Sequence, residues 1–175
     1  MIKCDISLKN ILIRRFTKLD ISIAVDAFQK VDWQKSASTF EGYLEEQFAG
    51  KRIVWVAYSN EQFAGYVTLK WESSYPYFAD NFIPEIMDLN VLPDFRNEGI
   101  GSKLLDTAEL LAATKTTIIG IGVGLYGDYG PAQRLYVKRG YIPDGNGVTY
   151  RYQFLAPGSE VSLDDDLVLW FTKKL

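Results

Sequence analysis

The chain has 175 residues, 47 % of them apolar and 23 % charged, which fits one globular domain over 1–175 with a sizeable core. Its formal net charge of −3 and pI near 5.1 leave no basic footprint for nucleic acid, and favour, weakly, a cationic partner. Histidine is absent and Cys4 is the one cysteine. That excludes a Ser-His-Asp triad, a Cys-His pair, an imidazole metal ligand and any disulfide or cysteine metal site within one chain.

A general base must then be a carboxylate, a tyrosine, a lysine or a water held by one of these. No apolar run approaches the ~20 residues of a membrane span. The first residues, MIKCDISLKNILIRR, carry charge where a signal peptide needs its apolar segment, so a cytoplasmic protein is expected.

In chain order, Asn10 to Phe16 reads as a strand, and Thr17 to Asp20 offers caps for a helix over Ile21 to Gln29. Ser38 or Thr39 caps a second helix ending near Phe48. Arg52 to Tyr58 and Phe63 to Trp71 form a hairpin around Ser59, Asn60 and Glu61. Glu72 to Phe82 is aromatic and irregular, a loop in this reading. Ile86 to Leu92 is a strand stopped by Pro93, and beyond Gly101 the residues Leu104, Leu105, Ala108, Leu111 and Ala112 recur at helical spacing. Thr116 to Val123 is a buried strand. Pro131 opens a helix that Gly140 closes. Tyr141 to Ile142 and Val148 to Phe154 give more strand, interrupted by PDGNG, and Leu167 to Thr172 gives the last. Asp164, Asp165 and Asp166 read as a solvated turn rather than a cation site. The order is a meander followed by β-α-β-α-β-β, a mixed α/β (α+β) sheet with helices on its faces.

Three stretches carry candidate chemistry. PEIMDLNVLPDFRNEGIGSK, from Pro84 to Lys103, joins a strand to a helix through Arg96, Gly99 and Gly101. Such a loop aims backbone N–H groups at one point and suits an anion such as a pyrophosphate; alternatively, the glycines serve a tight turn. Gly122, Gly124 and Gly127 spell a rival GxGxxG, with Asp144 placed as a ribose acid, but the helix starts too late for a dinucleotide fold. No GxxxxGK[ST] occurs. In AQRLYVKRGY, residues Ala132, Leu135, Tyr136 and Arg139 share a stripe, so Tyr136 faces inward as a core aromatic or as an acid.

Together, the strand PEIMDLNVLPDF, the loop RNEGIG and the LYVKRGY segment resemble the GNAT superfamily of acetyl-CoA-dependent N-acetyltransferases. The resemblance implies a mixed, mostly antiparallel sheet of about seven strands, splayed between the fourth and fifth, and direct acetyl transfer to a primary amine in a ternary complex. Carried over by position, Asn90 and Val91 hold the acetyl carbonyl and pantetheine by backbone bonds. Arg96, Asn97, Glu98, Gly99, Ile100, Gly101, Ser102 and Lys103 wrap the pyrophosphate, with Ala132 and Tyr136 also at the cofactor. Tyr136 is the general acid to the thiolate, and Glu85 stands where relatives place a catalytic glutamate. One departure stands out: the family's usual asparagine before the last helix is Tyr129 here.

Asp88 is a second candidate base; strand alternation would put it and Glu85 on opposite faces, so that only one lines the acceptor cleft. Trp33, Trp71 and Tyr75, with Tyr77 and Phe78, are candidates for the acceptor pocket, or else for lid packing or a homodimer contact. Lys103, Arg134, Lys138 and Arg139 are either a rim for CoA phosphates or solvated helix charges. The partners implied are acetyl-CoA and an amine, with no metal, nucleic acid or membrane. Two other classes stay open at this point: a non-catalytic acyl-CoA-binding module and, more remotely, a nicotinamide-linked oxidoreductase.

Overall fold

The computed structural model describes residues 10–175, so Cys4 lies outside the described residues. Strands β1 (Ile11–Arg15), β2 (Arg52–Ser59), β3 (Gln62–Lys70) and β4 (Glu85–Val91) form an antiparallel meander. Helices α1 (Asp20–Gln29) and α2 (Ala37–Phe48) connect β1 to β2, and α3 (Pro76–Asp80) lies between β3 and β4. Helix α4 (Ile100–Ala112) then leads to β5 (Ile118–Gly124), and α5 (Gly130–Lys138) to β6 (Ile142–Tyr150), β7 (Gln153–Phe154) and β8 (Leu167–Lys174). The sheet order is β1-β2-β3-β4-β5-β8-β6-β7. The described residues form eight strands rather than about seven, because a turn with positive φ at Arg151 and Tyr152 cuts the expected Val148–Phe154 strand in two.

Among the described residues one strand pair is parallel, β4 with β5, and it spans two positions, Glu85 beside Gly120 and Ile86 beside Ile121. Beyond these the two strands separate. Residues Met87 to Val91 stay on β3, and Gly122 to Gly124 stay on β8. A cleft therefore opens in mid-sheet, where the C-terminal ends of two neighbouring strands diverge.

Alternation along β5 shows how the two faces are filled. Ile119, Ile121 and Val123 enter a core with Trp55, Val67, Leu69, Ile86, Leu104, Leu105, Ala108 and Tyr136, beneath α4 and α5. Gly120, Gly122 and Gly124 share the other face, and each is covered by an aromatic ring. A Cβ at Gly120 would lie 2.1 Å from Phe78, at Gly122 2.9 Å from Trp170 and at Gly124 2.4 Å from Tyr129. Two glycines of the motif that imitates a dinucleotide loop, Gly122 and Gly124, thus line a packing groove, while Gly127 lies beyond β5 in a 3-10 turn. Asp144, the supposed ribose acid, instead accepts the Tyr75 hydroxyl at 2.6 Å.

The first half-sheet has its own aromatic core of Phe16, Phe28, Phe40, Phe63 and Tyr66 under α1 and α2. Ser36, rather than Ser38 or Thr39, caps α2 by accepting the Thr39 N–H. At the start of α1, Asp20 is buried and accepts bonds from Arg14, Tyr58 and Thr17, joining β1, α1 and β2. Burial alone would raise its pKa, but these donors hold it down at about 2. On the opposite side, Glu109 of α4 accepts from Arg139 at 2.8 Å, Lys173 at 2.6 Å and Tyr141 at 2.9 Å. Arg139 is therefore a structural cation, not part of a phosphate rim. Arg134, Lys138 and Lys103 remain exposed.

Candidate active site

The loop after β4 has the geometry that a phosphate needs. Pro93–Phe95 makes one 3-10 turn, then Asn97 (φ 61) and Gly99 (φ 81) take left-handed conformations that reverse the chain into α4. Lys103 is the first α4 residue whose N–H finds a helical acceptor, Gly99 at 3.0 Å; the N–H groups of Ile100, Gly101 and Ser102 have none. Gly101 lies between Val91 and Leu135, each 3.7 Å from where its Cβ would be. A large side chain there would fill the junction of β4, α4 and α5. Arg96 is exposed; its Nε donates to the Val91 carbonyl at 3.3 Å, and its guanidinium lies 5.4 Å from the Trp33 ring. Glu98 and the exposed Asn97 complete the loop.

Leu92 donates its N–H to Ala64 on β3, so alternation turns the Val91 N–H the other way, toward the cleft. Asn90 pairs with Tyr66 on β3 and ties its side chain to the Asp88 carbonyl at 3.0 Å. Across the cleft, α5 sets Tyr136 in the core, with Ala132 half-buried one turn away on the same stripe. Tyr136 has no hydrogen-bonding partner among the described residues, and burial raises its pKa well above that of an ordinary phenol. It therefore keeps its proton at any working pH.

Glu85 and Asp88 do not obey the expected alternation. Asp88 has φ 52, and the β3–β4 register shifts between Tyr66 and Thr68. This bulge brings both carboxylates into one electrostatic neighbourhood with Arg52. Asp88 accepts the Tyr43 hydroxyl at 2.7 Å and has Lys35 and Arg52 each at 3.8 Å. Arg52 is itself held by Glu46 and Thr68 and lies over the Tyr43 ring. Glu85, 3 % exposed, accepts the Ser73 hydroxyl at 2.6 Å. Desolvation raises its pKa to about 7, against the hydrogen bond from Ser73 and the positive charge of Lys70.

The aromatic candidates divide. Trp33, packed on Phe28, reaches the loop through Arg96, and its neighbour Lys35 reaches Asp88. Trp71 is elsewhere: it packs against the α4 core, with Lys115 4.1 Å from its ring. Tyr75 is fully buried and stacks on Trp170 with centroids 4.2 Å apart. Phe78 is buried over Gly120, with Tyr77 against it. These rings are drawn into the groove along β5 because aromatic area gains more there than in a solvent-facing wall. Tyr129 gives its ring to Gly124 and its hydroxyl to Asp165 at 2.9 Å. Asp165 also takes the Tyr126 hydroxyl, Asp164 takes Tyr150 and Asp166 pairs with Arg151. The acidic run is thus a set of tethers, and no group of three or more Cys, Asp or Glu among the described residues is placed to hold a metal.

Tyr43, Arg52, Ser73, Lys35 and the buried Tyr66 were not singled out by the sequence. Nothing local distinguishes them; they meet Asp88 and Glu85 through the packing of α2 and two loops on the sheet, through β-pairing and through a bulge.

A mixed sheet parted between β4 and β5, with a glycine loop and helix N-terminus at the mouth, is the architecture of an acyltransferase fold. Residues 50–143 match the family model described as "Acetyltransferase (GNAT) domain", and the chain belongs to that family. Solved structures with the same fold include an N-acetyltransferase from Staphylococcus aureus Mu50 (16 % identity, 94 % of this chain and 98 % of that one, TM-score 0.69). A ribosomal-protein-alanine N-acetyltransferase from Brucella melitensis is also similar (18 % identity, 94 % and 99 % covered, TM-score 0.68). So is a GNAT family acetyltransferase from Elizabethkingia anophelis with acetyl-CoA bound (21 %, 95 % and 99 %, TM-score 0.61). No curated protein sequence matches. No helix among the described residues is long and apolar enough to cross a membrane.

Proposed function

We propose that the chain is an acetyl-CoA-dependent N-acetyltransferase acting on a primary amine by direct transfer in a ternary complex. The observation that carries this reading is the buried carboxylate of Glu85, set where β4 and β5 part, in a chain of the GNAT family. Acetyl-CoA, which the Elizabethkingia anophelis structure holds, supplies the activated acetyl group as a thioester. The unpaired N–H groups of Ile100, Gly101 and Ser102 suit its pyrophosphate, as do the exposed Arg96 and Lys103.

The chain's own residues then divide the proton chemistry. An alkylamine arrives protonated, with a pKa of ~10 if lysine-like, and must lose a proton before it attacks. Glu85, held near 7, can take that proton directly or through water. Asp88 is the alternative base. The Val91 N–H is the donor for the oxyanion formed on attack. Tyr136, still protonated, gives its proton to the departing sulfur.

The test is a panel of alkylamines, amino sugars, lysine peptides and peptide N-termini incubated with acetyl-CoA, following thiol release and product mass. An amine gaining one acetyl group as thiol appears supports the reading. Tight acetyl-CoA binding with no turnover on any amine would favour a non-catalytic acyl-CoA-binding module instead.

A further inference from the structure

The segment between β3 and β4 holds aromatic residues that suit an acceptor pocket, lid packing or a dimer contact, and Ser73, Tyr75 and Phe78 at its centre are buried. Tyr75 stacks on Trp170 and gives its hydroxyl to Asp144, while Phe78 fills the space over Gly120. Gly120 is the residue paired with Glu85 across the parallel junction. The segment is therefore clamped to β5, β6 and β8, immediately beside that carboxylate. Its buried polar side chain is Ser73, at 7 % exposure.

The hydrogen bonds of Ser73 leave its hydroxyl no freedom. Its Oγ accepts the Tyr75 N–H at 2.9 Å, and its single proton goes to Oε2 of Glu85 at 2.6 Å. Oε1 of Glu85 has no hydrogen-bonding partner among the described residues. We propose that Ser73 is a positioning residue for acetyl transfer: it pins one oxygen of Glu85 and leaves the other to take the proton of the acceptor amine or of a water. This rests on the reading of Glu85 as the base. The aromatic clamp serves the same end, because it fixes where Ser73 stands relative to β4.

The other groups acting on Glu85 come from several elements. Lys70 on β3 and Arg52 on β2 favour its charged form, Asp88 on β4 opposes it, and Tyr152 from the turn between β6 and β7 is coupled to it. Ser73 is the one neutral group among them that donates a hydrogen bond to the carboxylate.

The experiment is a 13C NMR titration of glutamate-labelled full-length protein, with the Glu85 Cδ resonance assigned by its loss in Glu85→Gln. In Ser73→Ala, removal of a hydrogen bond to the charged form is expected to move the Glu85 midpoint up by about one pH unit or more. Ser73→Thr should restore it. The pH–rate profile for the fastest amine of the panel should shift by the same amount, with acetyl-CoA affinity unchanged. An unmoved Cδ midpoint in folded Ser73→Ala overturns the positioning role. A moved midpoint with an unmoved rate profile shows that Ser73 governs Glu85 but that Glu85 is not the base, which overturns the reading beneath.

Discussion

Glu85 and Gly120 are neighbours in the short parallel junction of β4 and β5, and Phe78 occupies the space that a side chain on Gly120 would take. The absence of one Cβ on β5 thus lets an aromatic ring close over the strand beside the carboxylate. Gly120→Ala should force Phe78 outward and cost about 1–3 kcal/mol by overpacking. It should also let water nearer to Glu85 and lower its pKa. Urea denaturation with the Glu85 Cδ titration checks both.

Glu85 makes the fold's stability depend on pH in a direction opposite to most carboxylates. Its folded pKa of about 7 lies above the ordinary 4.5, so the folded chain binds this proton more tightly than the unfolded one. The contribution is full below pH ~4.5 and is lost as pH rises through about 7, a change of about 3 kcal/mol. In Glu85→Gln this component should vanish. The measurement is the difference between wild-type and variant unfolding free energies from pH 4 to 8.

Asp20 acts the other way. Its carboxyl, held down at about 2 by Arg14, Tyr58 and Thr17, stabilises the fold above its unfolded value. That contribution, about 2 kcal/mol, should be lost as pH falls from ~4 toward 2. Asp20→Asn should remove it at neutral pH and leave an acid-unfolding curve that is shallower in that range.

Tyr136 has a buried ring and a raised pKa. Tyr136→Phe should lower kcat about 100-fold or more, the scale of general-acid catalysis, while acetyl-CoA binding measured by calorimetry changes little. Turnover equal to wild type would remove its acid role.

The elements of this fold were largely legible in the sequence because hydrophobic period and turn residues are local signals. Pro93, Gly99 and Gly101 marked the strand–loop–helix turn, and Pro131 with Gly140 bounded the last helix to within a residue or two. What was not legible depends on partners distant in the chain. The bulge at Asp88 leaves no trace in a run that still reads as an ordinary strand, yet it reverses the side chain and puts two carboxylates together. Gly122 and Gly124, with Gly127, spell a nucleotide-type motif because nothing local in the sequence shows that Trp170 and Tyr129 cover the first two. For the same reason Trp71 and Tyr75 read equally as pocket, lid or interface residues, and Ser73 has no feature of its own in the sequence.

The loop from Arg96 to Lys103 is the part of the account most directly open to measurement, by isothermal titration of acetyl-CoA into wild type, Gly101→Ala and Gly101→Trp. Gly101 has 3.7 Å of clearance to Val91 and Leu135, so alanine fits and tryptophan does not. One-to-one binding is expected for wild type and Gly101→Ala, and its loss in Gly101→Trp, with circular dichroism showing that this variant, although destabilised by overpacking, is still folded at the titration temperature. Absence of binding to wild type, or undiminished binding to Gly101→Trp, would contradict it.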